Sequence, residues 1–291
     1  MGIFNLLTKK LSPSWEYRTK GLLWRLFPGP GYFVGEDRPA DRQAGDNDTR
    51  RVSFFCIEDQ TGNVRWRDVH FDEPWWIGIE AAHQDVVFLH EFARPDMPEH
   101  KKVIALDGTS GRTLWMNDQY RFMFVHEESV YASKDLFEGR LFVELDLRTG
   151  EFVRELKDQP EYINVLRETA AAKNVSDVEF PASFSAQPEE FAGNMSIAKL
   201  LASPQRRGDI EVLAKGPLAI VGHYRTAGDH LEQHLQVIDA EGNSVVYEDI
   251  LARDAKAPVA DTFFVRNDML MYVKEKNTLT AVRLPAQAGL P

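Results

Sequence analysis

Lys102-Val-Ile-Ala-Leu-Asp-Gly-Thr-Ser-Gly-Arg-Thr-Leu-Trp115 is the stretch whose reading decides the fold. Val103 to Leu106 is a continuous apolar run of the kind buried on both faces of a sheet. Asp107 opens a polar turn, Gly111 supplies the positive φ that a tight hairpin needs, and a second strand ends on Trp115. The same hairpin is written again as Phe54 to Trp66, as Leu141 to Val153 and, shortened, as Leu235 to Val246. The turn glycines are Gly62, Gly111, Gly150 and Gly242, spaced by about 49, 39 and 92 residues, the last being twice about 46. A period of about 40 to 50 residues with four strands each is what β-propeller blades require, because a single blade cannot bury both faces of its sheet.

Setting aside a tail of about 12 residues and an insertion of about 50, the remaining length holds five blades; a sixth would need the insertion to be a degenerate blade. The expected fold is therefore all-β, a β-propeller of five four-stranded blades over Leu22–Val69, Trp75–Met116, Phe122–Leu156, Ile210–Tyr247 and Thr262–Leu284. It forms one domain, residues 13–291, behind a tail at residues 1–12. The last blade is short of its fourth strand, and a bare edge is a liability, so Trp15–Thr19 is expected to supply the outer strand and close the ring.

Residues 158–209 break the rhythm. Tyr162, Val165, Leu166 and Thr169 recur at helical spacing, and Ala170-Ala-Ala172 favours helix. Beyond Pro181 and Pro188, the residues Phe191, Met195, Ala198 and Leu201 suggest a second helix. Such an insertion is either a lid or partner surface, or a cap over an exposed sheet edge.

The 291 residues carry 45 acidic against 34 basic side chains, a net charge of −11, which argues against nucleic acid because that binding rests on phosphate neutralisation by Lys and Arg. Cys56 is the one cysteine, so no intrachain disulfide can form, and its apolar strand suits a small buried hydrophobe. No run approaches the roughly 18 apolar residues of a membrane span, and the N-terminus lacks the pattern of a secretory signal. The expected compartment is the cytoplasm. In the tail, Ile3, Phe4, Leu7 and Leu11 share a helical face beside Lys9 and Lys10. That face could dock on a membrane surface or a partner's groove, or lie on the protein itself.

Ala105-Leu106-Asp107, Gly111 and Leu114-Trp115 resemble the quinoprotein-type (PQQ-like) propeller repeat, with partial matches at Thr61-Gly62 with Trp66 and at Thr149-Gly150. More closely, Gly35-Glu-Asp-Arg38, Trp75-Trp-Ile-Gly-Ile-Glu80 and the segment from His90 to Lys101 resemble an uncharacterised bacterial family of such propellers. That resemblance implies the fold and assigns no activity. Catalytic quinoproteins of this repeat type are usually eight-bladed with an adjacent-cysteine disulfide. This chain is too short for that and has only Cys56, so PQQ is not an expected cofactor.

Two groups of residues could carry chemistry. His90, Glu91, Asp96, Glu99 and His100 cluster in one loop, and imidazoles with carboxylates can hold a divalent metal. Their spacing fits no standard motif, and strand alternation sets His90 and Glu91 on opposite faces. Trp75, Trp76 and Glu80, joined by Glu36 and Arg38 from the preceding blade, form a pocket or interface candidate. Alternation there too lets at most one of the two tryptophans line a cavity while the other packs between blades. No Gly-rich phosphate loop and no nucleophile elbow is present. The expected function is a non-enzymatic scaffold for an unidentified protein partner. The alternatives are a small-molecule or metal-dependent hydrolase or lyase with a pocket at the central channel, and a membrane-associated complex subunit attached through residues 1–12.

Overall fold

The computed structural model describes residues 10–40, 50–94, 99–156, 159–173, 177–185, 195–241 and 243–285. After β1 (Pro13–Arg18) come three four-stranded antiparallel sheets. Sheet one is β2 (Leu22–Gly29), β3 (Tyr32–Arg38), β4 (Ser53–Glu58) and β5 (Val64–Val69). Sheet two is β6 (Ile77–His83), β7 (Val86–Phe92), β8 (His100–Asp107) and β9 (Thr113–Asn117). Sheet three is β10 (Arg121–His126), β11 (Ser129–Leu136), β12 (Gly139–Asp146) and β13 (Phe152–Glu155). Helix α1 (Pro160–Lys173), β14 (Val178–Glu179), β15 (Ala182–Phe184) and helix α2 (Met195–Leu201) follow. The chain then builds β16 (Arg206–Lys215), β17 (Leu218–Ala227), β18 (His230–Asp239) and β19 (Ser244–Ala255), and ends in β20 (Phe263–Arg266), β21 (Met269–Lys274) and β22 (Thr278–Arg283). The fold is all-β, a β-propeller with one blade for each of its five sheets. No described helix is long and apolar enough to cross a membrane.

The chain divides into two compact units, Thr19–Ser176 and Met1–Arg18 with Asp177–Pro291. In the first, strand alternation gives sheet two a buried face on each side. Val87, Leu89, Ile104 and Leu106 pack on Tyr32, Phe54, Cys56 and Trp66 of sheet one, while Val86, Phe88, Val103 and Ala105 pack on Val125, Val130, Val143 and Leu145 of sheet three. Helix α1 lays Ile163 and Ala170 on Phe124 and Tyr131, covering sheet three's other face.

The repeated hairpin has a repeated joint. Trp66 Nε1 donates to Gly108 O of the next sheet at 3.0 Å, and Trp115 Nε1 donates likewise to Leu147 O at 3.0 Å. Each indole lies over the turn glycine of the following blade, Gly111 or Gly150, both at positive φ. Asp107 and Asp146 hold those turns by accepting backbone N–H bonds from Thr109 and Ser110 and from Arg148 and Thr149. Burial pushes the Cys56 thiol up to about 12, so it packs as a neutral hydrophobe.

In the second unit the sheet β16–β19 packs on β20–β22 through Ile220, Val237 and Leu235 against Phe263, Val265 and Leu270. Strand β1 pairs with β22, Trp15 opposite Ala281 and Tyr17 opposite Leu279, supplying the fourth strand that the last blade lacks. The insertion contains helices where helical spacing placed them, although residues 186–194 lie outside those described. It also contains two short strands absent from the sequence reading. β14 pairs with β20 and β15 with β16, so each closes the free edge of a sheet. Helix α2 covers a face of its sheet with Ile197 and Leu201. Of the apolar tail face, residues 1–9 lie outside those described. Leu11 donates its N–H to Val246 O at 2.9 Å and packs on the core of its own unit.

Candidate functional site

Sheets one and two bring the two candidate groups together within the Thr19–Ser176 unit. Glu36 and Arg38, two residues apart, share a face of β3. Arg38 donates from Nε and Nη2 to Glu36 Oε2 at 3.0 and 2.9 Å, and from Nη1 and Nη2 to the carbonyls of Trp75 and Ile77 at 3.1 and 2.7 Å. Its guanidinium carbon sits 5.8 Å from the Trp24 ring centroid and 5.2 Å from that of Trp75. Glu36 Oε1 accepts Ile79 N at 2.8 Å, and Arg25 Nη1 donates to Ile79 O at 2.9 Å. A buried carboxylate thus holds a fixed guanidinium, and together they tie the start of β6 to sheet one.

The two tryptophans divide as alternation expects: Trp75 packs against the core between sheets one and two, and Trp76 is exposed. Strand β6 begins at Ile77, and Trp75 and Trp76 precede it in a turn whose N–H groups both donate to Glu73 Oε1, at 3.1 and 2.8 Å. Both residues also border one cavity of about 650 Å³, with Trp24, Arg25, Arg38 and Phe92 among the other walls. Trp24 is 62% exposed and Trp76 38%. Trp24 and Arg25 were not singled out in the sequence. Trp24 is the extra residue of a β-bulge, where the register steps from Leu23 opposite Asp37 to Arg25 opposite Glu36.

Glu80 makes no pair with Arg38. It too is the extra residue of a bulge, between Ile79 opposite Leu89 and Ala81 opposite Phe88, and it faces two imidazoles. Its Oε2 lies 2.6 Å from Nδ1 of His90 on β7 and 2.8 Å from Nδ1 of His100 on β8. The two rings are stacked, 3.5 Å between centroids and 8° between planes, and Phe92 presents its ring to both. The close approaches are out of line with the ring N–H directions. Neither nitrogen of His90, nor Glu80 Oε2, has a directed hydrogen-bond partner, although all three atoms are buried. Burial works against ionisation of Glu80, but the facing His90 and His100 outweigh it and hold its carboxyl below the usual carboxylate range. Burial, reinforced by His90, lowers His100.

The remaining members of the loop cluster go elsewhere. Glu91 points away from His90 and meets Lys102 Nζ at 2.7 Å and Lys101 Nζ at 3.7 Å, so it leaves the metal-ligating set. Glu99 pairs with Arg121 at 2.5 Å. Asp96 lies outside the described residues.

A domain of unknown function (DUF4905) matches residues 43–115, the stretch that contains Trp75, Trp76, Glu80, His90 and His100. No curated protein is detectably similar. Among solved structures the chain is similar to a europium-containing methanol dehydrogenase, with 11% identity over 93% of this chain and 54% of that one at a TM-score of 0.31. It is similar to BamB from Moraxella catarrhalis, with 11% identity over 94% of this chain and 100% of that one at a TM-score of 0.23. It is also similar to a member of the DUF4221 family from Bacteroides vulgatus, with 8% identity over 94% of both chains at a TM-score of 0.29. The chain spans about half the length of the methanol and quinohemoprotein alcohol dehydrogenases it matches.

Proposed function

We propose that this chain is a non-enzymatic, cytoplasmic binding scaffold that engages a protein partner at the cavity walled by Trp24, Trp75 and Trp76. One observation carries the reading: two exposed tryptophans flank a concave site whose floor, Arg38, is already locked in place by Glu36 and two carbonyls. Exposed aromatic rings beside a rigid cleft are what interface anchors look like, because little ordering entropy remains to be lost on binding. Arg25 and Arg50 at the walls favour a partner segment that sets a carboxylate beside an apolar side chain.

The test replaces Trp24 and Trp76 with Ala in the full chain and compares proteins cross-linked to it in native lysate with those cross-linked to the parent. The double variant is expected to lose a specific partner by at least tenfold while keeping the parent's melting curve. An identical set of cross-linked proteins rejects the reading.

A second reading, a metal-dependent hydrolase or lyase, draws on the neighbouring Glu80, His90 and His100. Phe92 packs on both imidazoles and also lines the cavity, so a ligand there would lie beside those groups. Turnover of no member of a broad ester, phosphoester and amide panel would discard it.

A further inference from the structure

We propose that Glu80, His90 and His100 bind one divalent transition-metal ion of the zinc class. The three side chains stand on β6, β7 and β8, neighbouring strands of one sheet, so the backbone holds them together before any ion arrives. One ligand atom from each lies within 4.8 Å of the others, and among the described residues this is the one such trio.

His90 supplies the independent argument. Its side chain is 98% buried, being 2% exposed, and neither of its ring nitrogens has a directed partner. Stacking brings the Nδ1 atoms of both imidazoles to the same carboxylate oxygen, an arrangement that leaves the buried polar atoms unsatisfied. A cation between the three groups satisfies the Nδ1 atoms and Oε2 at once.

The donor set then selects the ion. Two imidazoles and one carboxylate suit zinc, cobalt, nickel or ferrous iron, whereas magnesium and calcium prefer all-oxygen sites. A zinc–nitrogen distance of about 2.0–2.1 Å puts tetrahedral ligands roughly 3.4 Å apart. Binding therefore draws Oε2 back from the imidazoles by less than about 1 Å and turns at least one imidazole out of the parallel stack, because the ion must lie in the plane of each ring it binds. His100, 33% exposed, gives the ion a way in and leaves a coordination position open to solvent or a ligand.

Tag-free full-length protein, stripped with a chelator, is titrated with Co(II) and then Zn(II), following the cobalt ligand-field absorption and the melting temperature. One equivalent of cobalt is expected, displaced by zinc, with a melting temperature raised by either ion. His100→Ala and Glu80→Gln are expected to weaken binding at least tenfold, and His230→Ala, on an exposed residue of the other unit, to leave it unchanged. His100→Gln, closer in volume, serves if His100→Ala does not fold. No saturable equivalent in the parent chain overturns the proposal, as does binding that survives both site substitutions.

Discussion

Gly111 meets two demands at one position. Its φ of +71° belongs to the left-handed region, and a Cβ there would stand 2.8 Å from Trp66 Cδ2. The sequence signalled the first demand through the turn chemistry of Asp107 to Gly111. The second belongs to a tryptophan 45 residues earlier and appears only once the sheets are packed. Gly111→Ala is therefore expected to cost about 2 to 4 kcal/mol, combining left-handed strain with overpacking. Urea denaturation measures it, and a loss under about 0.5 kcal/mol, the scale of a bland surface change, rejects the joint. The candidate site has a similar history. Glu36, Arg38, Trp75, Trp76 and Glu80 were visible as a group, and His90 with His100 as another. Their merger was hidden, because the bulge residues Trp24 and Glu80 break the alternation by which facing is read.

At the scale of elements, the strand that completes the last blade comes from the other end of the chain. The register runs from Pro13 opposite Val282 to Arg18 opposite Thr278, and Ser14 Oγ accepts the N–H of Arg283 at 3.1 Å. A chain that starts at Thr19 leaves one side of β22 unpaired. It is expected to lose its sharp urea transition and to aggregate through the bared edge. An unchanged midpoint and slope would show that β1 is dispensable. The insertion follows the same logic of edges: β14 and β15 flank Pro181 and were too short to show as strands, yet they cover the open sides of β20 and β16. Of the two roles open to the insertion in the sequence, edge cap is the one its strands perform.

At the scale of the whole molecule, buried histidines set the response to acid. Burial first, then His234 and Arg225, depress His223 to about 3, and burial also lowers His234 although Glu232 accepts from it at 3.0 Å. The folded state thus binds fewer protons than the unfolded chain between about pH 6.5 and 3. Stability from His223 is complete above about pH 6.5 and drains away as pH falls through that window. The greatest slope is roughly 1.4 kcal/mol per pH unit, or about 2 kcal/mol by pH 5. Asp107 and Asp146, whose carboxyls are held low in their turns, add losses at still lower pH. Denaturation at pH 7, 6 and 5 should show the decline, and His223→Gln should flatten it. Equal stability at pH 7 and 5, or a slope untouched by that substitution, contradicts the assignment.

The sequence alone determined the hairpin, its repetition, the five sheets and the origin of the last strand. Each follows from local rules: positive φ at a turn, two-residue alternation, and the need to pair an edge. Tertiary structure decided which side chains meet. One extra residue in a strand reverses the facing of all that follow. The meeting of Glu80 with His90 and His100, and of Arg38 with Trp24 and Trp75, depends on such departures, which cost too little locally to mark the sequence.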